Sequence, residues 1–375
     1  MKGLYEAPTE PMAENAVARM LEWDGRLSMA QTTGAAILIL SGPIALTAAG
    51  TPTGALFAAA WRIGAILLLC ACGHSVMISW RRRSRRIRSV SSFIAHRFRR
   101  LAPVHLASFG LVCIIVSLRS LSRSPEEADA TGMASSLLPF WPTDFMAYNN
   151  PPWFVIQAIL VGTLLIPVIS MLRERWIMVA SALVGMACAS MAPDDSIWSI
   201  SGPMILSFVM GAVASRIHRR DAKSGRIRMI AGIVLLSIGQ AVGEVQGLSG
   251  LGNIVSAAGA VIIIRWMPER PGYGSRTRLA AYCYPTMVLH YPVFRYSLAS
   301  VDSAMLATAL AAPVTAALVI ATGRILERPK LANENRRTQD AESAQIHMDE
   351  ASLVLPSHPE NGNNPDIREK RSRDR

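Results

Sequence analysis

Charge is segregated along this chain to a degree that limits what it can fold into. Between Arg26 and Arg62 there is no Asp, Glu, Lys or Arg, whereas Trp80 to Arg100 carries nine arginines. Long uncharged stretches and short arginine-rich ones alternate in this way as far as Thr322. A bilayer's hydrocarbon core excludes charge and is crossed by about 20 apolar residues in a helix, so the pattern is that of a multi-spanning membrane protein. The chain is 51% hydrophobic with a net charge of +12. A basic nucleic-acid-binding domain would mix its charges among its apolar residues instead, so no nucleic-acid partner is expected and the lipid bilayer is.

Ten segments qualify as spans, near residues 30–50, 57–79, 102–118, 153–172, 176–192, 202–215, 229–243, 251–266, 279–297 and 304–323. The expected fold is an all-α integral membrane protein, a bundle of about ten transmembrane helices. With the N-terminus in the cytoplasm, the inner loops 80–101, 173–175, 216–228 and 265–278 hold nine, two, six and four basic residues. The outer loops hold only Arg119 and Arg123. Cytoplasmic loops retain Lys and Arg, so both termini are expected in the cytoplasm. Residues 1–29 read as a cytoplasmic segment without a cleavable signal, 30–331 as the membrane domain, and 332–375 as a polar, disordered cytoplasmic tail.

The five cysteines, Cys70, Cys72, Cys113, Cys188 and Cys283, all fall in apolar stretches. Their odd number and placement argue against a disulfide framework. Cys70 and Cys72 point in different directions on a helix and make a poor metal pair, and no metal site is expected.

Titratable groups inside spans are costly and invite functional readings. Arg62 and Arg295 lie near the outer ends of their spans, where snorkelling to the interface accounts for them. His105, one turn inside the third span, also reads as an interface residue. His74, in Leu69-Cys-Ala-Cys-Gly-His-Ser75, follows a glycine that permits close helix approach. It reads equally as a hydrogen-bonded structural group or as a general base. His290 sits in the apolar run Tyr282-Cys-Tyr-Pro-Thr-Met-Val-Leu-His-Tyr-Pro-Val-Phe294, where Pro292 frees a backbone carbonyl that an imidazole can satisfy. Arg97 and Arg100, three apart on one helix face at the inner mouth of the bundle, suit phosphate oxygens. The bland reading of the same arginines is that they hold the loop inside and contact anionic lipid.

Several stretches, in order, resemble motifs of the acyltransferase 3 family, bacterial membrane proteins that transfer acyl groups onto sugars. Trp23-Asp-Gly-Arg26 is similar to the family's Leu-Asp-Gly-Leu-Arg, and Cys72-Gly-His74 falls where Ser-Gly-Phe is usual. Ser92-Phe-Ile-Ala-His-Arg-Phe-Arg-Arg-Leu-Ala-Pro103 resembles its Arg-x-x-Arg-x-x-Pro. Pro152-Trp-Phe-Val155, with Pro167, resembles its Leu-Trp-Phe-Leu helix. Tyr284 to Val293 resembles Ser-Tyr-x-x-Tyr-Leu-x-His-x-Pro, and Ile325-Leu-Glu-Arg-Pro329 the closing Ile-Glu-x-Pro.

The resemblance implies an O-acyltransferase of the bacterial inner membrane. Acetyl-CoA or another acyl-CoA would be the co-substrate, with no bound cofactor, and a carbohydrate hydroxyl the acceptor. It implies acyl-CoA binding at Arg97 and Arg100, catalytic roles for His74 and His290, and supporting roles for Asp24, Arg26, Trp153 and Glu327. Two departures stand out. The family's first-helix histidine, eleven residues after the arginine, is replaced by Ile37, and its fourth-helix glutamate by Gln157 or Ala158. A non-catalytic protein that moves or assembles lipid-linked sugars on the same scaffold is the alternative. The orientation is directly checkable: a reporter fused after Ala332 should be cytoplasmic and one inserted in loop 119–152 external, and the reverse pattern would refute the charge argument.

Overall fold

The computed structural model describes residues 10–84, 90–120, 152–171, 197–216, 225–245, 248–267, 278–301, 306–307 and 309–322. Among these, every regular element is a helix: α1 (Glu10–Thr47), α2 (Pro52–Ser84), α3 (Val90–Ser120), α4 (Trp153–Met171), α5 (Ile197–Ala214), α6 (Gly225–Gly243), α7 (Ser249–Trp266), α8 (Arg278–Ser300) and α9 (Ala309–Thr322). Each matches one expected segment. The segment near 176–192 and the tail 332–375 lie outside the described residues. Four helices are long and apolar enough to cross a membrane by themselves, and the bent α3 makes a fifth. Stretches of α5, α7 and α9 are apolar but shorter.

Helix directions follow the alternation expected of successive spans. Gly34 of α1 faces Gly64 and Leu68 of α2, Gln31 reaches Cys72, and Gly42 faces Trp61, so the two helices run antiparallel. α4 and α5 run parallel: Gly162 meets the Phe208 ring, and two turns further on the Arg216 guanidinium donates to the Ser170 carbonyl. α8 runs parallel to α1, with His290 beside Gly42 and Val293 and Phe294 packing with Leu46.

α3 bends by 40° between Val90–Arg99 and Leu101–Ser117. Pro103 explains the place: it has no N–H for the Arg99 carbonyl, and its ring crowds that group. Residues 90–99 thereby leave the bundle direction and lie against the end of α2, where Phe93 meets Trp80 edge-on at 5.0 Å.

Backbone approaches backbone at glycines. Association inside lipid lacks a hydrophobic driving force, so close contact of small residues supplies the packing. A Cβ built at Gly64 would lie 2.8 Å from the Gly34 carbonyl oxygen and 3.0 Å from the Leu38 nitrogen. Gly73 is pressed on the Phe208 backbone and Gly211 on that of Cys70, whose thiol donates to the Ser207 carbonyl at 3.0 Å. The close approach expected beside His74 is therefore present, and Cys70 is fully buried. At Gly110, in contrast, none of the described residues would lie within 4 Å of an added Cβ. Gly64→Ala should destabilise the purified protein by about 1–3 kcal/mol through overpacking, measured by denaturation in detergent, whereas Gly110→Ala should be neutral or stabilising by up to about 1 kcal/mol.

Candidate functional site

The sequence-predicted residues fall at two levels of the bundle. His74, buried at 4% exposure, lies on α2 toward the arginine-rich end. Arg265 at the end of α7 and Arg81 on α2 are the charges that act on it most strongly. Arg97 is half-buried on the tilted start of α3, its guanidinium 5.7 Å from the Phe93 ring centre. This places one arginine of the expected pair against an aromatic shelf made by Phe93 and Trp80. The Arg100 side chain, those of Asp24 and Arg26, and Glu327 altogether lie outside the described residues.

His290 lies elsewhere. Trp61 beside it is thirteen residues before His74 on α2, a rise of about 20 Å, so the two histidines cannot act on one atom together in this arrangement. Its Nδ1 is 3.0 Å from the Thr286 carbonyl oxygen. A carbonyl only accepts, so Nδ1 carries the proton and Nε2 presents a bare lone pair. That Nε2 is buried and, among the described residues, has no hydrogen-bond partner. The carbonyl that His290 caps is that of Thr286, one turn before the ring itself, whereas the carbonyl that Pro292 frees, four residues before it, is that of Val288.

His105 corrects the interface reading. It is 2% exposed, and its Nδ1 accepts from the Trp153 indole N–H at 2.9 Å. Trp153 is fully buried at the start of α4, with Pro152 turning the chain into the helix. The ring's proton in the uncharged form is consequently on Nε2, the opposite tautomer to His290. Gln157, where the resemblance leads one to expect glutamate, is 2% exposed on the same helix. Arg62 also departs from expectation: instead of only snorkelling, it pairs with Glu244 just past α6, joining α6 to α2.

Two residues of the His290 neighbourhood, Trp61 and Gly42, had no sequence signal. A tryptophan beside an arginine near a span end reads as an interface anchor, and a single glycine in an apolar run reads as packing. Only the fold brings α1, α2 and α8 together there. Among the described residues no three His, Cys, Asp or Glu side chains gather where they could hold a metal ion.

The Trp153–His105 bond is testable as a pair. Trp153→Phe leaves a buried ring nitrogen unsatisfied and should cost about 1–3 kcal/mol in detergent denaturation. In a His105→Phe background the same change should cost markedly less, and equal costs in both backgrounds would show the bond to be energetically silent.

The model of the acyltransferase domain, Acyl_transf_3, matches residues 63–324, well over half of the chain. No curated protein and no solved structure matches the sequence. The matched region takes in Cys72-Gly-His74, the Arg97–Pro103 segment, the Trp153 helix and the Tyr284–Val293 run, with the Trp23–Arg26 stretch before it and Ile325–Pro329 after it. The helical, largely apolar elements it covers are those of a membrane protein, and the chain belongs to the acyltransferase 3 family.

Proposed function

We propose that this membrane acyltransferase moves an acyl group, acetyl being the simplest, from an acyl-CoA to a hydroxyl of a carbohydrate such as a surface polysaccharide or oligosaccharide. Its place would be the cytoplasmic membrane of a bacterium, with the arginine-rich end facing the cytoplasm. The observation that carries the reading is the state of His290. A general base needs a bare ring nitrogen held in orientation by its other nitrogen, and the Thr286 carbonyl holds Nδ1–H in that way.

In this reading the CoA phosphates dock at Arg97 and Arg100, whose planar forks match phosphate oxygens. Leu111 of α3 packs in the cluster of Val293 and Phe294, just beyond His290 on α8. Counting helical rise from there, Arg97 lies roughly 16 Å below the level of His290, a span suited to an extended pantetheine arm. The acceptor hydroxyl gives its proton to Nε2 of His290 as its oxygen attacks the thioester carbonyl. The carbon–sulfur bond then breaks, the proton returns from Nε2 to the departing thiolate, and the products are a sugar ester and CoA thiol. His74, with Arg81 and Arg265 acting on it, belongs to the donor end, where it orients the incoming acyl-CoA.

The alternative, a scaffold that handles lipid-linked sugars without chemistry, has one observation in its favour. Ile37, at the place of the family's first-helix histidine, packs at the tight α1–α2 contact beside Gly64. Mass analysis of surface carbohydrate decides between them. Cells lacking the protein should lose an ester-linked acyl group, and unchanged ester would remove the enzymatic reading. His290→Gln should reduce transfer by about 10²-fold or more, and His74→Ala less. Arg97→Ala with Arg100→Ala should raise the KM for acyl-CoA and leave that for the acceptor unchanged.

A further inference from the structure

α6 has two unlike faces. All four of its glycines, Gly225, Gly232, Gly239 and Gly243, turn toward α7, and Gly252, Ser256 and Gly259 of α7 press back against three of them. Gln240 donates to the Ser256 hydroxyl across the same seam. The opposite face carries Ile227, Ile230, Ile233, Val234 and Ile238, each 47–73% exposed. Helices that meet inside lipid do so through small residues that let backbones approach, and the glycines of α6 are all on the α7 side. A row of large branched side chains fits acyl chains rather than a second helix.

The length of that face is fixed at both ends. No charge occurs from Met229 to Gly243, and from Arg228 to Glu244 a helix rises about 24 Å. Bilayer hydrocarbon is about 30 Å thick, and any tilt of the helix shortens its reach further. An arginine at a span end commonly makes up such a deficit by snorkelling outward. Here the Arg228 guanidinium is held over the Trp266 ring, 4.3 Å from its centre, and Glu244 is held by Arg62. α7 reaches no further, since Ser249 to Arg265 is again about 24 Å, and the glycine contacts keep the two helices in register. α2 differs: beyond Arg62 it continues uncharged to Pro52, about 15 Å farther.

We infer that the exposed face of α6, backed by α7, is a phospholipid-binding surface that thins the bilayer beside it. Acyl chains lie on the isoleucine face, and phosphates at the arginine-rich end meet Arg226 and Arg228, both exposed. At the other end the headgroups come down to the level of Arg62 and Glu244 instead of standing level with the end of α2. A span shorter than the surrounding hydrocarbon thins the bilayer, snorkels or oligomerises. The stacked arginine and the held glutamate oppose snorkelling, and the glycine-free face opposes oligomerisation. This surface is independent of the acyl reaction proposed above.

Cryo-electron microscopy of the full-length protein in discs of 18-carbon phosphatidylcholine and phosphatidylglycerol tests it directly. The two headgroup layers beside α6 should stand about 6 Å closer together than at the rim of the disc. Equal separation would overturn the inference, as would protein density from a second copy seated on the isoleucine face. Thermal midpoints give an independent reading. The wild type should be most stable in discs with 14-carbon chains and lose stability with 18- and 22-carbon chains. Arg226→Leu with Arg228→Leu removes the charges that end the apolar face, so its best chain length should move up to 18 carbons. A wild-type optimum at 18 or 22 carbons, or an unmoved optimum in the double variant, counts against the thinned surface. Should the double variant fail to fold, imaging of the wild type decides alone.

Discussion

Close backbone contact along α2 is the constraint on which the rest of the molecule depends. In lipid, helices gain nothing from hiding apolar side chains from one another, so their positions rest on how near the backbones come. α2 meets α1 at Gly64 and α5 at Gly73 and Gly211, and both crossings leave no space for a methyl group. The same helix carries Trp61, His74 and Trp80. Every proposed site residue outside α2 is therefore placed relative to it: Phe93 and Arg97 through Trp80, and His290 through α1 in turn.

The buried histidines show how an apolar medium turns backbone and side-chain hydrogen bonds into chemical instructions. A buried neutral imidazole has one N–H and one lone pair, and the bond made at Nδ1 decides which nitrogen carries which. The Thr286 carbonyl accepts from Nδ1–H of His290, and the indole N–H of Trp153 donates to Nδ1 of His105, which leaves that ring's proton on Nε2. Two rings of one residue type are thereby fixed as opposite tautomers. One turns an acceptor toward Gly42, and the other becomes a donor.

Much of this architecture was legible before any coordinates, because hydrocarbon thickness and charge exclusion act on composition directly. All nine described helices lie on expected segments, and the directions of α1 against α2, α4 against α5 and α1 against α8 are those of successive crossings. The ends were less legible. α1 and α3 begin earlier than their apolar cores, at Glu10 and Val90, since apolar length measures what lipid covers and arginine is a good helix former outside it. His290 announced itself as a polar ring among apolar neighbours. Its companions did not, since Gly42 and Trp61 come from distant parts of the chain and neither carries a pattern that points to the other. His105 was misjudged for a related reason: depth counted along a straight span ignores the bend at Pro103 and the burial of Trp153. For Arg62 the partner Glu244, far along the sequence, was out of reach.

Phe208 has a consequence of a different kind. Its ring lies against Gly162 on α4, while its backbone receives Gly73 on α2, and the next turn of its own helix brings Gly211 onto Cys70. Three helices thus share one wedge. Over evolutionary time these positions are not free to drift singly. A lineage that gained a side chain at Gly162 would need a smaller ring at 208, and one that lost Gly73 would need a different crossing of α2 and α5 altogether. The variable surface of this protein can diverge quickly while this knot, which touches no proposed substrate, changes only by coordinated steps.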